Sequence, residues 1–96
     1  MSLTKKEANE QANAKYKILY DNLFKKNIKD IDELIERKVE KGKFECTICD
    51  RYCVGMVCLE FPEKDRYLMK GRVKKYYKDL GYNVKTEGDF ITIKWS

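Results

Sequence analysis

The chain has no histidine, a single proline at Pro62, and serine only at Ser2 and Ser96. Without histidine there is no Ser–His or Cys–His nucleophile pair and no imidazole general base. The five glycines, Gly42, Gly55, Gly71, Gly81 and Gly88, fall into no Walker or dinucleotide-loop spacing. No apolar run approaches the roughly 20 residues that span a bilayer. The N-terminus is a charged helix pattern with no apolar signal core, so a cytoplasmic location and no membrane association are expected. Cytoplasmic thiols stay reduced, which argues against disulfides. Carboxylate or lysine chemistry is not removed by these absences, but no motif gathers such groups. The expectation is a protein that is not an enzyme.

What is present describes one domain, residues 1–96: 96 residues of which 43% are hydrophobic, enough to bury a core without staples. Thr4-Lys5-Lys6-Glu7 reads as a capping box. Ala8, Ala12, Tyr16, Leu19 and Leu23 then recur at helical steps, and Asn27 is a residue that can end a helix. A second helix start follows at Asp30, with Ile31, Leu34, Ile35 and Val39 on one face and Gly42 as the stop. Residues 1–42 thus predict a helical hairpin. Ala8 and Ala12 permit close packing on a second copy, though docking onto the rest of the domain is the more ordinary reading.

From Lys43 the period becomes two. Phe44, Cys46 and Ile48 alternate with Glu45, Thr47 and Cys49, as in a half-buried strand. A second apolar run covers Cys53 to Phe61, either strand or loop, with Asp50-Arg51-Tyr52 as the turn before it. Pro62 suits a helix start, and Met69, Val73, Tyr76, Tyr77 and Leu80 share a face up to Gly81. Gly71 inside this helix implies either a close neighbour or a break. "YNVKTEGDFITIKW" reads as a hairpin turning at Glu87-Gly88. Tyr76, Tyr77, Tyr82, Phe90 and Trp95 are expected in the core. Residues 43–96 therefore predict ββαββ. The fold class is α+β: a small antiparallel sheet of three to four strands with the helices packed on one face, in the order ααββαββ.

Cys46, Cys49, Cys53 and Cys58 lie within the stretch "ECTICDRYCVGMVC". Four thiolates can close a zinc site and C-x2-C is a common half-site. The spacing C-x2-C-x3-C-x4-C departs from a zinc knuckle, however, and from the ferredoxin run. Cys46 and Cys49 would also point to opposite faces of a flat strand. Cysteine as a small apolar residue is the preferred reading, with no cofactor and zinc as the alternative.

The net charge is +5, and residues 64–78 alone carry seven cations against Asp65. Arg66, Lys70, Lys74 and Lys78 recur every four residues and predict an exposed ridge. Such a ridge can meet nucleic-acid phosphates or an acidic protein, yet no recognition-helix or RNP-type signature accompanies it.

"IDELIERKVEKGKFECTI" and "VKKYYKDLGYNVKTEGDFITIKW" resemble small accessory proteins of tailed bacteriophages and prophages. Those proteins join a helix ending in "GKF" to a strand, and finish with an amphipathic helix, "LGY-V" and a hairpin ending near Trp. The resemblance implies a viral accessory protein in the host cytoplasm and supplies no binding or catalytic residue. The function expected is a non-enzymatic module that binds a host or viral protein. The alternatives are non-specific nucleic-acid binding through helix 64–78 and a small zinc module built on the four cysteines.

Overall fold

Thr4 opens the first helix as its sequence implies. Its hydroxyl accepts the Glu7 N–H at 3.1 Å, and the Glu7 carboxylate accepts the Thr4 N–H at 3.4 Å. The computed structural model describes residues 2–51, 54–62 and 64–96 of the chain. Helix α1 runs without interruption over Lys5–Glu40, 36 residues, which at about 1.5 Å per residue accounts for most of the 60 Å long axis.

The expected helical hairpin over 1–42 is therefore a single helix. Asn27 does not stop it, because Asn27 lies in the buried stripe. Tyr20, Asn27, Ile31 and Ile35 are its buried residues, and Leu23, Phe24, Ile28 and Leu34 pack alongside. Asp30 caps nothing; its carboxylate accepts from Lys26, one turn back. The helix ends where expected. Gly42 has φ +71, Gly42 N–H reaches Val39 O at 3.0 Å and Lys43 N–H reaches Lys38 O at 2.9 Å. This pair of bonds is the Schellman closure, and the positive φ is why glycine stands there.

The remaining elements are β1 (Glu45–Cys49), α2 (Arg66–Asp79), β2 (Asn83–Glu87) and β3 (Phe90–Lys94). The three strands form one sheet in the order β1-β3-β2, with both pairings antiparallel. The fold is α+β, but the order is αβαββ among the described residues. Cys46 lies opposite Ile93, which lies opposite Val84, and Ile48, Ile91 and Thr86 form the next row. These rows make the inner face. On the outer face the Thr47 and Thr92 hydroxyls meet at 3.2 Å in solvent. The hairpin turns on Gly88-Asp89, one residue later than expected, with Glu87 still paired to Phe90.

Among the described residues the apolar run after β1 forms no second strand and meets the sheet at one place, a parallel bridge between Cys49 and Cys58. Cys49 N–H donates to Val57 O at 3.0 Å, and Leu59 N–H donates to Cys49 O at 2.9 Å. Two features keep it from going further: Gly55 has φ +81, which breaks an extended run, and α1 takes hold of the chain at Glu60. The Asn27 amide donates to Glu60 O at 2.7 Å while its oxygen accepts the Glu60 N–H at 2.8 Å. Cys53, the first residue of the expected strand, lies outside the described residues, as does Tyr52 of the expected turn.

Helix α2 lies beside α1 and runs in the same direction. The contacts step forward together: Tyr16 with Asp65, Asp21 with Arg72, Phe24 with Tyr76, Asp32 with Tyr77. Both helices cover the inner sheet face. Ile31, Ile48, Met69, Val73, Tyr77, Ile91 and Ile93 are fully buried there, each side chain contributing about 1.5–3 kcal/mol by leaving water. The Tyr77 hydroxyl donates to Asp32 at 2.7 Å, and burial followed by that bond pushes its pKa up.

Candidate functional site

Four residues of an α-helix turn through more than one full revolution, so each four-residue step over-rotates by about 40°. The row Arg66, Lys70, Lys74, Lys78 therefore cannot stay on one face of α2. It begins over the end of the sheet and winds outward. Arg66 and Lys70 side chains are 30% and 14% exposed, Lys74 is half-buried, and of the four Lys78 alone is exposed. The expected exposed ridge is thus corrected for its first half.

What draws Arg66 and Lys70 inward is Asp50, at the end of β1 and 1% exposed. Arg66 donates to Asp50 Oδ1 at 2.9 Å and to Asp89 Oδ1 at 3.1 Å; Lys70 donates to Asp50 Oδ2 at 2.9 Å. Arg51 closes the group on Asp89 at 2.6 Å. Burial alone would push the Asp50 carboxyl up, but the hydrogen bonds from Lys70 and Arg66 outweigh it and hold it below its ordinary value. With both oxygens occupied by cations, this carboxylate is a fastener between α2 and the sheet. The Asp50 N–H bonds Asp89 O at 2.7 Å, so the hairpin turn is drawn into the same group.

Other α2 cations are also engaged. Arg72 pairs with Asp21 at 2.9 Å and lies 3.9 Å over the Phe24 ring, while Lys75 pairs with Asp79 at 2.7 Å. Lys64, Lys74 and Lys78 make no ion pair among the described residues.

The cysteines are divided by the strand's alternation. Cys46 faces the core, 2% exposed, and burial pushes its thiol up to about 11. Cys49 is one of the outward-parity residues, covered by the segment that bridges it, and Cys58 lies across that bridge. Among the described residues no group of three His, Cys, Asp or Glu side chains is gathered in metal-holding geometry. The candidate ligand Cys53 lies outside them. The expected aromatic core is partly dispersed. Tyr77 is buried and Tyr82 and Trp95 pack beside it, but Tyr76 is 37% and Phe90 45% exposed. Ala8 and Ala12 are exposed, as is every residue of α1 from Lys5 to Lys15, so they do not dock onto their own domain.

Sequence reasoning did not single out the groove beside β1. The sheet order leaves both β1 and β2 at edges, and it is along β1 that a groove lies. Trp95 N–H bonds Phe44 O, and Asp50 N–H bonds Asp89 O, so Phe44, Cys46, Ile48 and Asp50 turn their main chain toward β3. Glu45, Thr47 and Cys49 turn theirs away. The outward groups of Cys49 are taken by Val57 and Leu59; those of Glu45 and Thr47 have no hydrogen bond among the described residues. They face a groove of about 900 Å³ between β1, the last turns of α1 (Leu34, Arg37, Lys38) and the Gly55–Val57 stretch. Phe44 stands at its side, 62% exposed. The strand's own parity was legible in the sequence; that the following run leaves the edge open depends on Gly55 and on the bonds from Asn27 to Glu60.

No family model, curated protein or solved structure matches the chain.

Proposed function

We propose that the protein is a non-enzymatic module that binds another protein, and that it does so along β1. The observation that carries this reading is the open main chain of Glu45 and Thr47, set in a groove beside an exposed phenylalanine. Unpaired strand edges are ready templates for another chain, and exposed aromatic side chains are common anchors in interfaces. The placement of the reactive groups supports binding over catalysis. Asp50 is held by two cations, and Cys46 is a protonated thiol in the core at neutral pH.

The resemblance in the helix-strand and helix-hairpin stretches adds the proposal that this is an accessory protein of bacteriophage or prophage type, with a host or viral protein as partner. Nucleic-acid binding is the weaker reading, because four of the seven cations in residues 64–78 are engaged with carboxylates. Capture from host lysate with three baits tests the choice. Species held by the wild-type protein should be lost with Phe44→Asp and kept with Lys74→Glu/Lys78→Glu. The opposite pattern, with a nuclease-sensitive capture that weakens steeply in salt, would replace protein binding by polyanion binding.

A further inference from the structure

We infer that the groove takes an extended, acidic peptide segment, which adds to the sheet as a fourth strand alongside Glu45–Thr47. This inference rests on the protein-binding reading and names its mode and its ligand class.

Two independent observations lead to it. The first is backbone parity. Glu45 and Thr47 each present an N–H and a C=O toward the groove, and the chain itself already uses the next outward position, since Val57 and Leu59 bond both main-chain groups of Cys49. The protein thus starts a fourth strand and leaves it unfinished. The start of the edge is closed as well, because Lys43 N–H is bonded to Lys38 O and Lys43 O accepts the Trp95 indole N–H at 3.1 Å. The free template is therefore short, centred on Glu45 to Thr47, and suits an extended segment rather than a helix.

The second observation is charge. Arg37, Lys38 and Lys43 line the groove, and none of the three makes an ion pair with a described residue. Glu45 is the one carboxylate among the groove's described lining residues, and it is engaged with Lys94 at 3.6 Å. An incoming strand therefore meets three cations that no carboxylate of the described residues engages. A second copy of this chain is disfavoured as the occupant: it carries a net +5, and edge-to-edge pairing would bring both sets of groove cations together.

Titration of the isotopically labelled protein with a short peptide of alternating glutamate and valine, followed by amide NMR, tests the inference. The Glu45 and Thr47 amides should shift and gain protection from exchange. A lysine–valine peptide should bind at least about tenfold more weakly, as should the glutamate–valine peptide N-methylated at alternate residues, which keeps its side chains but loses N–H donors. Thr47→Pro removes one outward N–H without touching the bonds to β3 and should weaken binding to a similar degree with the thermal midpoint nearly unchanged. The N-methylated peptide gives the same answer if that variant does not fold. Shifts at the groove that are indifferent to N-methylation would overturn strand addition and leave protein binding standing. No effect of any peptide on the groove would overturn both. Protection of Glu45 and Thr47 that rises with protein concentration alone would assign the edge to a second copy and overturn the peptide.

Discussion

The Asn27 side chain and the Glu60 main chain form a two-bond ring, at 2.7 and 2.8 Å, between the middle of α1 and the segment that follows β1. The amide does for Glu60 what a neighbouring strand would do. It anchors the wall of the β1 groove to the longest helix of the molecule. Asn27→Ala leaves both Glu60 groups without that partner, and should cost about 1–3 kcal/mol in urea unfolding. Exchange of the Leu59 and Glu60 amides should quicken more than that of Ile91 or Ile93. Asn22→Ala, at an exposed position of the same helix, should be nearly neutral.

Lys70 and Lys74 should separate sharply. Lys70→Glu sets a second carboxylate against buried Asp50 and should destabilise by about 2–4 kcal/mol. Lys74→Glu, with no ion pair among the described residues, should change stability by about 0.5 kcal/mol or less. Equal effects would mean that the Asp50 group is not formed in solution.

Asp50 also sets an acid limb. Its folded carboxyl lies below the ordinary value of 3.8, so folding favours the ionised form. That stabilisation is fully present above the unfolded pKa and is lost as pH falls through the lower, folded one. Asp50→Asn should therefore be less stable than wild type at pH 7, and the gap between their urea midpoints should narrow below about pH 4.

The same kind of substitution should have opposite signs at two glycines. Gly71 is exposed within α2, has no positive φ, and a Cβ there meets nothing within 4 Å. Neither a close neighbour nor a helix break explains it, and Gly71→Ala should stabilise by about 0.5–1 kcal/mol. Gly42→Ala places a side chain at φ +71 and should cost about 1 kcal/mol. Thermal unfolding of the two variants side by side checks both.

Much of this fold can be read from local signals. Thr4 with Glu7, Gly42 and the alternation through Cys46 and Ile48 each depend on neighbours a few residues away, and each appears where the pattern puts it. The departures come from partners far along the chain. Asn27 looks like a helix end until Glu60, 33 residues later, is seen to accept its amide. Arg66 and Lys70 look like solvated cations until Asp50 is found beneath them, because a four-residue row winds by about 40° per step around its helix. The run through Leu59 has strand composition, but only tertiary contacts decide that, among the described residues, it meets β1 at one bridge. The groove exists for that reason, so its residues carried no motif.

Native-state hydrogen exchange along β1 tests the open edge most directly, since it needs no ligand and no variant. The amides of Cys46 and Ile48, bonded to β3, should exchange slowly, as should Cys49, bonded to Val57 O at 3.0 Å. Those of Glu45 and Thr47 should exchange faster by orders of magnitude, on the scale of exposed loops. Slow exchange at Thr47 matching that of Ile48, in dilute monomeric protein, would show that the edge is already covered and would contradict binding along β1.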